Sequence, residues 1–286
     1  VYDDVDTIRG LIASYRALHP QISVNVRQLR IEEFYPRLVE ALAEDRGPDI
    51  VSINNRSLRT YLSKLSPMPA SVSDTTAYLK KSKLGDETVI TTAPVAMITP
   101  LQLEQEYVPV VKQDVIINGN IYGLPISLDT MALFYNKDLL DRAGVPEPPT
   151  NWDEFQAAVK KITKYDKATS NIIQSGVALG TGNNIPGVDD LLIMLFRQSN
   201  VQFTSKTSGR ASFNSAPQRL VEQTTAMNVM DFYTDFANSS RDTYAWSDKS
   251  PNAIDAFVGG SVAFFFGYSY HLPVVKARAP QLNLGI

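Results

Sequence analysis

The sequence contains no cysteine among its 286 residues and only two histidines, His19 and His271. The absence of cysteine excludes disulfides, thiol catalysis and thiolate metal sites. So few histidines argue against a multi-histidine zinc site, and no metal is predicted. Basic residues are not in excess either, since 27 Lys and Arg stand against 30 Asp and Glu. That balance argues against nucleic acid and anionic membrane surfaces as partners.

Long hydrophobic runs are also missing. The longest candidate, Val262–Phe266, has the length of a strand, whereas a membrane-spanning helix needs about 20 apolar residues. The N-terminal residues do not form a signal peptide, so any such segment is expected to have been removed or not included. What remains is ordinary for a soluble globular protein, with 44% hydrophobic and 20% charged residues, and the length predicts about two domains.

Helical and strand patterns alternate in the first part of the chain. Apolar residues from Ile8 to Leu18 recur at the spacing of one helical face, and Ile22–Val26 then alternate as in a strand. A second helical pattern, Phe34–Leu42, precedes the apolar run Ile50–Ile53. This order favours an α/β fold with a largely parallel sheet. The stretch from Ser66 to Pro100 gives no clear prediction.

Further elements follow in the second part. Asn118-Gly119 predicts a type I′ turn in a hairpin over Val115–Tyr122. Thr150 is the expected cap of a helix, with Asp153 reaching back to it, and Ser215-Ala216-Pro217 is expected to begin another. The remaining predictions are strands at Gly176–Leu179 and Val262–Phe266 and helices at Ala253–Val258 and Ser269–Ala277.

Three motifs together carry a family resemblance. Residues 122–144 are YGLPISLDTMALFYNKDLLDRAG, residues 256–270 are AFVGGSVAFFFGYSY, and residues 46–58 are RGPDIVSINNRSL. Along the chain they come in the order and at roughly the spacing of segments that they resemble in the extracellular solute-binding proteins of the maltose-binding type. The first two resemble that family's crossings between lobes, and the third resembles its second strand and ligand-facing tip. Segment 66–114 fits least well.

The resemblance implies a two-lobed, periplasmic-binding-protein-like α/β fold of type II, with a ligand cleft between lobes joined by hinge strands. Residues 1–126 plus 268–286 are expected to form lobe one, and residues 127–267 lobe two. Family members usually begin before Val1 and continue well beyond Ile286. The chain is therefore expected to be truncated relative to the family at the C-terminus, and the same comparison leaves truncation at the N-terminus open.

The function implied by the resemblance is that of the substrate-binding component of an ABC importer. Such a protein captures a small polar solute, with a sugar favoured, and delivers it to the transmembrane permease subunits. It is expected to be an extracytoplasmic monomer, in the periplasm or lipid-anchored on the outer face of the cytoplasmic membrane.

Candidate ligand-binding residues are of two kinds. Polar side chains at the expected carboxyl ends of strands can hydrogen-bond paired hydroxyls, and aromatic side chains can cover the apolar face of a sugar ring. The candidates are Tyr2, Asp3, Asp4, Asn54, Asn55, Arg56, Asp129, Thr130, Asn183, Asn184, Trp246, Tyr268 and Tyr270. Asp129 also matches a ligand-facing position of the family, and Tyr268 is favoured over Tyr270.

Structural alternatives remain for most of these residues. Asp3 and Asp4 could be favourable charges at a helix N-terminus, and Arg56 could be an ordinary solvated arginine. Residues 182–184 could form only a flexible turn, and Trp246 could anchor a loop on its own lobe. Phe264–Phe266 are expected in the core, and both histidines are expected to be structural.

Enzyme hypotheses find little support in the sequence. It has no nucleophile elbow, P-loop, dinucleotide fingerprint or metal-binding histidine pair, so neither catalytic residues nor a cofactor are predicted. Asp3 or Asp4 with Asp129 could in principle form the carboxylate pair of a glycoside-acting enzyme. A sensor or scaffold with the same fold, not involved in transport, is the other alternative.

Overall fold

The computed structural model describes residues 5–81, 85–202, 211–212 and 219–286. The chain divides after Ser127 into two units, Val1–Ser127 and Leu128–Ile286. Each unit has hydrophobic clusters of its own. The division therefore separates two regions that each bury their own apolar side chains.

The first unit combines short helices with two antiparallel hairpins. Its helices are α1 (Val5–Leu18), α2 (Ile31–Ala43), α3 (Leu58–Tyr61), α4 (Pro100–Glu106) and α5 (Pro109–Val115). Its strands are β1 (Ser71–Lys80), β2 (Glu87–Ala96), β3 (Ile116–Ile117) and β4 (Asn120–Ile121). Helices α1 and α2 confirm the first two helical patterns. The β3–β4 hairpin confirms the predicted turn, since Asn118 and Gly119 both have positive φ.

The two strands predicted in the first unit are wrong. Residues 22–26 and 50–53 have no strand pairing in the part of the chain that the structure describes. Val51 and Ile53 instead pack against a small cluster of Phe34, Leu38 and Tyr61. An apolar pattern alone does not make a strand, because a strand also needs a neighbouring strand to take its hydrogen bonds.

The β1–β2 hairpin lies in the segment from Ser66 to Pro100, for which there was no clear prediction. Its ladder runs from the pair Ser71–Ala96 to the pair Lys80–Glu87. In its middle, the hydroxyl oxygens of Thr75 and Thr92 are 2.9 Å apart. Such cross-strand threonine pairs stabilise an antiparallel ribbon. Alternation is weak here because residues on both faces of β1 and β2 remain exposed.

The second unit is built on a five-stranded sheet covered by helices. Its strands are β5 (Met131–Asn136), β6 (Lys164–Tyr165), β7 (Ile172–Val177), β8 (Val262–Tyr268) and β9 (Leu284–Gly285). Its helices are α6 (Lys137–Arg142), α7 (Trp152–Ile162), α8 (Val188–Gln198), α9 (Arg219–Asp235), α10 (Ala253–Val258) and α11 (His271–Arg278). The strand order is β6-β7-β8-β5-β9.

This sheet is mixed, which corrects the expectation of a largely parallel one. Strands β7 and β8 are parallel, whereas β5 runs antiparallel to both β8 and β9. Parallel neighbours need a long crossover, which helices α8, α9 and α10 provide between β7 and β8. The direction of β5 could not be inferred from its composition.

Strand β8 is the centre of the second unit and is buried on both faces. Phe264 and Phe266 belong to the cluster that contains Phe155, while Phe265 belongs to the opposite cluster with Phe134. This alternation follows from the two-residue period of a strand. The expected core position of the three phenylalanines is confirmed, since their exposed fractions are 0%, 0% and 7%.

Several element boundaries differ from the predicted ones. Helix α7 is capped by Asn151, whose side chain accepts from the Glu154 amide, while Glu154 reaches back to Thr150. The Thr150–Asp153 cap is therefore wrong by one residue, because Asn151 and Glu154 offer the same capping geometry one position later. Strand β7 begins earlier than predicted and ends at Val177. The predicted helix start at residues 215–217 lies outside the described residues.

The last residues of the chain pack within the second unit. Strand β9 pairs with β5 through Tyr135–Gly285 and Asn136–Leu284, and Val275 of α11 is buried in the cluster around Phe265. The predicted lobe scheme instead assigned residues 268–286 to lobe one and 127–267 to lobe two. That discontinuous scheme stays a prediction.

Candidate functional site

Two tyrosines at the end of β8 form an aromatic surface on the second unit. Tyr268 is the last residue of the strand, and Tyr270 lies two positions later, at the N-cap of α11. Their rings stack with centroids 5.6 Å apart and an interplanar angle of 13°. Tyr268 is half-buried, whereas Tyr270 is 58% exposed. The outer ring is thus available for contact with an apolar ring face.

Helix α8 supports the inner ring. The Tyr268 hydroxyl donates a hydrogen bond to the Asp190 carboxylate in the first turn of this helix. Gly187 caps α8 with a φ of 70°, and a Cβ atom there would lie 3.2 Å from the Tyr268 ring. Glycine is therefore suited to this position both by its conformation and by the closeness of the ring.

Asp129 lies beside this surface and accepts hydrogen bonds from three backbone amides. Its Oδ1 accepts from Thr130 at 2.7 Å and from Ser269 at 2.9 Å, and its Oδ2 accepts from Tyr270 at 3.3 Å. Partial burial acts to raise the pKa of this carboxyl, but the hydrogen bonds from Ser269, Thr130 and Tyr270 outweigh it and lower the pKa. Asp129 is therefore ionised at neutral pH.

His271 begins α11 directly behind the two rings. It is 4% exposed, and its Nδ1 accepts a hydrogen bond from the Tyr268 amide at 2.9 Å. Burial lowers the pKa of His271, although the charge of Asp129 acts to raise it. The close approach also needs Gly267, because a Cβ atom there would lie 2.8 Å from Nδ1. These contacts agree with the structural role expected for His271.

Burial, together with the charges of Asp129 and Asp190, raises the pKa of the Tyr270 phenol. The hydroxyl therefore stays protonated at neutral pH and can donate as well as accept a hydrogen bond. A half-open aromatic face with a protonated hydroxyl can make apolar contact with one side of a sugar ring and hydrogen bonds at its edge.

Trp246 and Asn184 meet elsewhere in the second unit. Trp246 is 2% exposed, and its Nε1 donates to Asn184 Oδ1 at 3.0 Å. The side-chain Nδ2 of Asn184 in turn donates to the backbone carbonyls of Ser247 and Ser250 at 2.9 and 3.0 Å. The geometry favours the loop-anchor alternative for Trp246, and ligand stacking on its ring stays a prediction. Asn183 and Thr130 are both exposed.

The candidates of the first unit lie around a short 3₁₀ turn, Asn55–Ser57. The Asn54 side chain caps it by accepting from the Arg56 backbone amide at 3.0 Å. The side-chain Nδ2 of Asn55 donates to Asp114 Oδ2 at 2.7 Å. Arg56 is exposed. Their ligand contacts stay a prediction. Tyr2, Asp3 and Asp4 lie outside the described residues.

Sequence reasoning missed the residues that hold the aromatic surface in place. Asp190 had a detectable signal, because it follows a glycine at a helix start, where acidic residues are favourable. Gly187 and Gly267 had none, since only the packed structure shows that a ring or an imidazole approaches them. Asp114 was missed because its partner Asn55 is 59 residues away.

The described ranges also bear on metal binding and on membrane crossing. No group of three or more His, Asp or Glu side chains there is placed to hold a metal ion. Of the helices within those ranges, none combines the length and the apolar character needed to cross a membrane.

Comparison with curated proteins gives a relative whose name refers to sugars. The chain is 26% identical over 172 residues to the multiple sugar-binding protein of Streptococcus mutans. The aligned region covers 59% of this chain and 38% of that protein. The chain thus corresponds to a part of this longer relative.

Solved structures show the same architecture. An ABC substrate-binding protein of Listeria monocytogenes in complex with cycloalternan matches with a TM-score of 0.65 at 17% identity, covering 99% of this chain and 63% of that one. A cyclo/maltodextrin-binding protein complexed with maltotetraose matches with a TM-score of 0.66 at 18% identity, covering 99% and 61%. The chain therefore spans less than two thirds of either protein.

These matches confirm the predicted fold class, a two-lobed periplasmic-binding-protein-like α/β fold. At such low identity the structural likeness supports the fold alone. The family model of the bacterial extracellular solute-binding proteins matches residues 3–285, which is nearly the whole chain. The chain therefore belongs to the bacterial extracellular solute-binding protein family.

Proposed function

We propose that this protein is the substrate-binding component of an ABC importer and that it captures an oligosaccharide outside the cytoplasm. The observation that carries the proposal is the stacked pair Tyr268–Tyr270, with its outer ring 58% exposed. Aromatic rings held in a fixed orientation suit sugar recognition, because they offer a large contact area at a low cost in conformational entropy.

The relatives support a sugar as the solute. The Streptococcus protein is named for sugar binding, and the two solved neighbours hold cycloalternan and maltotetraose. The Streptococcus protein and the cyclo/maltodextrin-binding protein are named for sugars, and the Listeria protein is in complex with one. The exposed tyrosine of this chain is consistent with the same class of ligand. We expect a micromolar dissociation constant, which corresponds to about −8 kcal/mol.

Transport sets the remaining expectations. The loaded protein delivers its sugar to transmembrane permease subunits and acts as a monomer, either in the periplasm or anchored by lipid to the outer face of the cytoplasmic membrane. Hinge closure on the sugar, which the family resemblance implies, stays a prediction. Small-angle scattering with and without maltotetraose measures it.

Catalysis is not part of the proposal. Asp129 accepts three backbone hydrogen bonds and has a lowered pKa, which does not suit the general acid of a glycosidase. For a substrate-binding component, we expect bound sugar to be recovered intact. Release of reducing ends from maltotetraose would instead favour the glycoside-acting alternative.

Isothermal titration calorimetry with maltotetraose, cycloalternan and glucose tests the proposal. We expect saturable binding of at least one oligosaccharide and a loss of about tenfold in affinity in Tyr270→Ala, corresponding to about 1.4 kcal/mol. The matched control is Tyr165→Ala, which breaks a second tyrosine stack, with Tyr244, on β6 at the outer edge of the sheet. This control should leave affinity unchanged. Absence of binding to every sugar tested would contradict the proposal.

A further inference from the structure

We propose that Asp129 is a positioning residue that fixes the Tyr270 ring, rather than a direct contact of the sugar. This inference rests on the proposed function, because it assumes that Tyr270 contacts the sugar. It concerns a different question from sugar binding itself, namely how the exposed ring is held in one orientation before the ligand arrives.

The acceptor capacity of the carboxylate is the first argument. A carboxylate offers about four lone-pair sites for hydrogen bonds. Three of them take the backbone amides of Thr130, Ser269 and Tyr270, and the Ser269 side chain takes another. Asp129 therefore has little capacity left for the hydroxyl donors of a sugar.

The strand register explains why Asp129 reaches these amides. Strands β5 and β8 are antiparallel, and their ladder ends at the pair Met131–Tyr268. Continuing that register by two residues places Asp129 opposite Tyr270. The backbone pairing ends at Met131–Tyr268. Beyond it, the Asp129 carboxylate, instead of a backbone carbonyl, accepts from the amides of Ser269 and Tyr270.

The second argument is that the backbone amides of Ser269 and Tyr270 need a hydrogen-bond acceptor. The amides of Ser269 and Tyr270 lie directly before His271, the first residue of α11, with Tyr270 at the N-cap, where N–H groups lack partners within the helix. A negative charge at this end of a helix is favourable as well. Removing the carboxylate would free the backbone that carries Tyr270, and the ring would lose its fixed stack on Tyr268.

A double-mutant cycle separates positioning from direct contact. The variants are Asp129→Asn, Tyr270→Ala and the double variant, each titrated with maltotetraose and cycloalternan. In Asp129→Asn, one oxygen becomes an NH₂ group that faces the Tyr270 amide, donor against donor. We expect each single variant to weaken oligosaccharide binding about tenfold, and Asp129→Asn to add less than about twofold in the Tyr270→Ala background. Additive losses would mean that Asp129 contacts the sugar directly, and the inference would fall.

Asp166→Asn is the matched control. Asp166 holds a turn in the same unit by accepting from the amides of Ala168 and Thr169 at 2.9 and 2.7 Å. Its replacement should lower stability in the same way as Asp129→Asn but leave oligosaccharide affinity unchanged. An equal loss of affinity in the control would show that general destabilisation, and not the position of Tyr270, is the cause.

Amide hydrogen exchange gives a readout that needs no ligand. In Asp129→Asn, the remaining oxygen can still accept from Ser269, so exchange at Tyr270 should accelerate at least tenfold, while the amides of β8 keep their protection. Unchanged exchange at Tyr270 would overturn the positioning role even if no sugar bound. Accelerated exchange without any sugar binding would support the positioning of the ring and count against the proposed function alone.

Discussion

The two units differ in how completely they bury their apolar side chains. The second unit contains a central strand with both faces covered, and Phe134, Phe257, Phe264 and Phe265 are all fully buried. The first unit has two small clusters, around Phe34 and around Leu103. Many of its large apolar residues are exposed, among them Ile50 at 89% and Ile90 at 67%.

The difference shows what a sheet contributes to a core. In the second unit, helices pack on both faces of a continuous five-stranded sheet, so alternate residues of one strand enter two separate clusters. In the first unit, the described strands form only two-stranded hairpins. A two-stranded ribbon has little interior, and its stability depends on what it packs against.

The largest expected loss of stability comes from a substitution in the core of the second unit. Phe265→Ala removes a fully buried ring and should destabilise that unit by about 3–5 kcal/mol. Phe34→Ala in the first unit should cost less than about 3 kcal/mol, because the surrounding cluster is small and can collapse into the space. Amide hydrogen exchange resolved by residue measures the two units separately. A larger loss for Phe34→Ala would contradict the comparison.

A smaller effect is expected at the Trp246–Asn184 pair. Trp246→Phe removes the hydrogen bond to Asn184 Oδ1 and leaves a small void, at a cost of about 1–3 kcal/mol. Affinity for oligosaccharide should not change if Trp246 anchors a loop. Trp152→Phe is the matched control, since Trp152 Nε1 donates to Gln198 at 2.9 Å but the ring is only half-buried. Urea denaturation and calorimetry measure stability and affinity, and a selective loss of affinity would restore the ligand-stacking hypothesis.

The third effect depends on pH and involves His271. Its folded-state pKa lies below the ordinary value, so the unfolded chain binds more protons as pH falls below about 6.5. Stability is therefore full above that pH and decreases as pH falls through the folded-state pKa. His271→Asn keeps an acceptor for the Tyr268 amide but does not titrate. It should have a lower Tm at pH 7 and a smaller fall in Tm between pH 7 and pH 5. Equal slopes for both proteins would contradict the assignment.

The smallest effect is expected in the first unit at Asn55. Asn55→Ala removes an exposed hydrogen bond to Asp114, at a cost of about 0.5–1.5 kcal/mol. Arg56→Ala, one residue later, tests ligand contact instead and should weaken oligosaccharide binding without a comparable loss of stability. Thermal unfolding and calorimetry of the two variants separate these roles. If neither variant changes affinity, the predicted site residues of the first unit are misplaced.

The local elements that the sequence predicted well carry their own signals. Asn118-Gly119 needs positive φ at both positions, and the helix Ala253–Val258 has the predicted bounds. Capping residues also predicted the start of α7 to within one residue. These features depend on interactions among residues close in the chain, so a local pattern is sufficient to find them.

The candidate site was predicted in part. Asp129, Tyr268 and Tyr270 were named from motif and residue type, and the structure places all three in one cluster. The separate roles of the Asp129 carboxylate and the tyrosine rings were not predictable, because they depend on which backbone amides donate hydrogen bonds to the carboxylate. Two of the three amides, those of Ser269 and Tyr270, belong to residues 140 and 141 positions away in the chain.

By itself, the sequence determined the family, the α/β character, most helix positions and the aromatic residues at the end of β8. Only the tertiary structure decided which apolar runs become strands, since Ile22–Val26 and Val262–Phe266 both have strand-like composition but only the second has partners on both sides. The tertiary structure also decided that the Asp129 carboxylate accepts hydrogen bonds from the backbone amides of Ser269 and Tyr270. Both outcomes depend on long-range pairing, in which the partner of a hydrogen-bonding group is set by the register of distant strands.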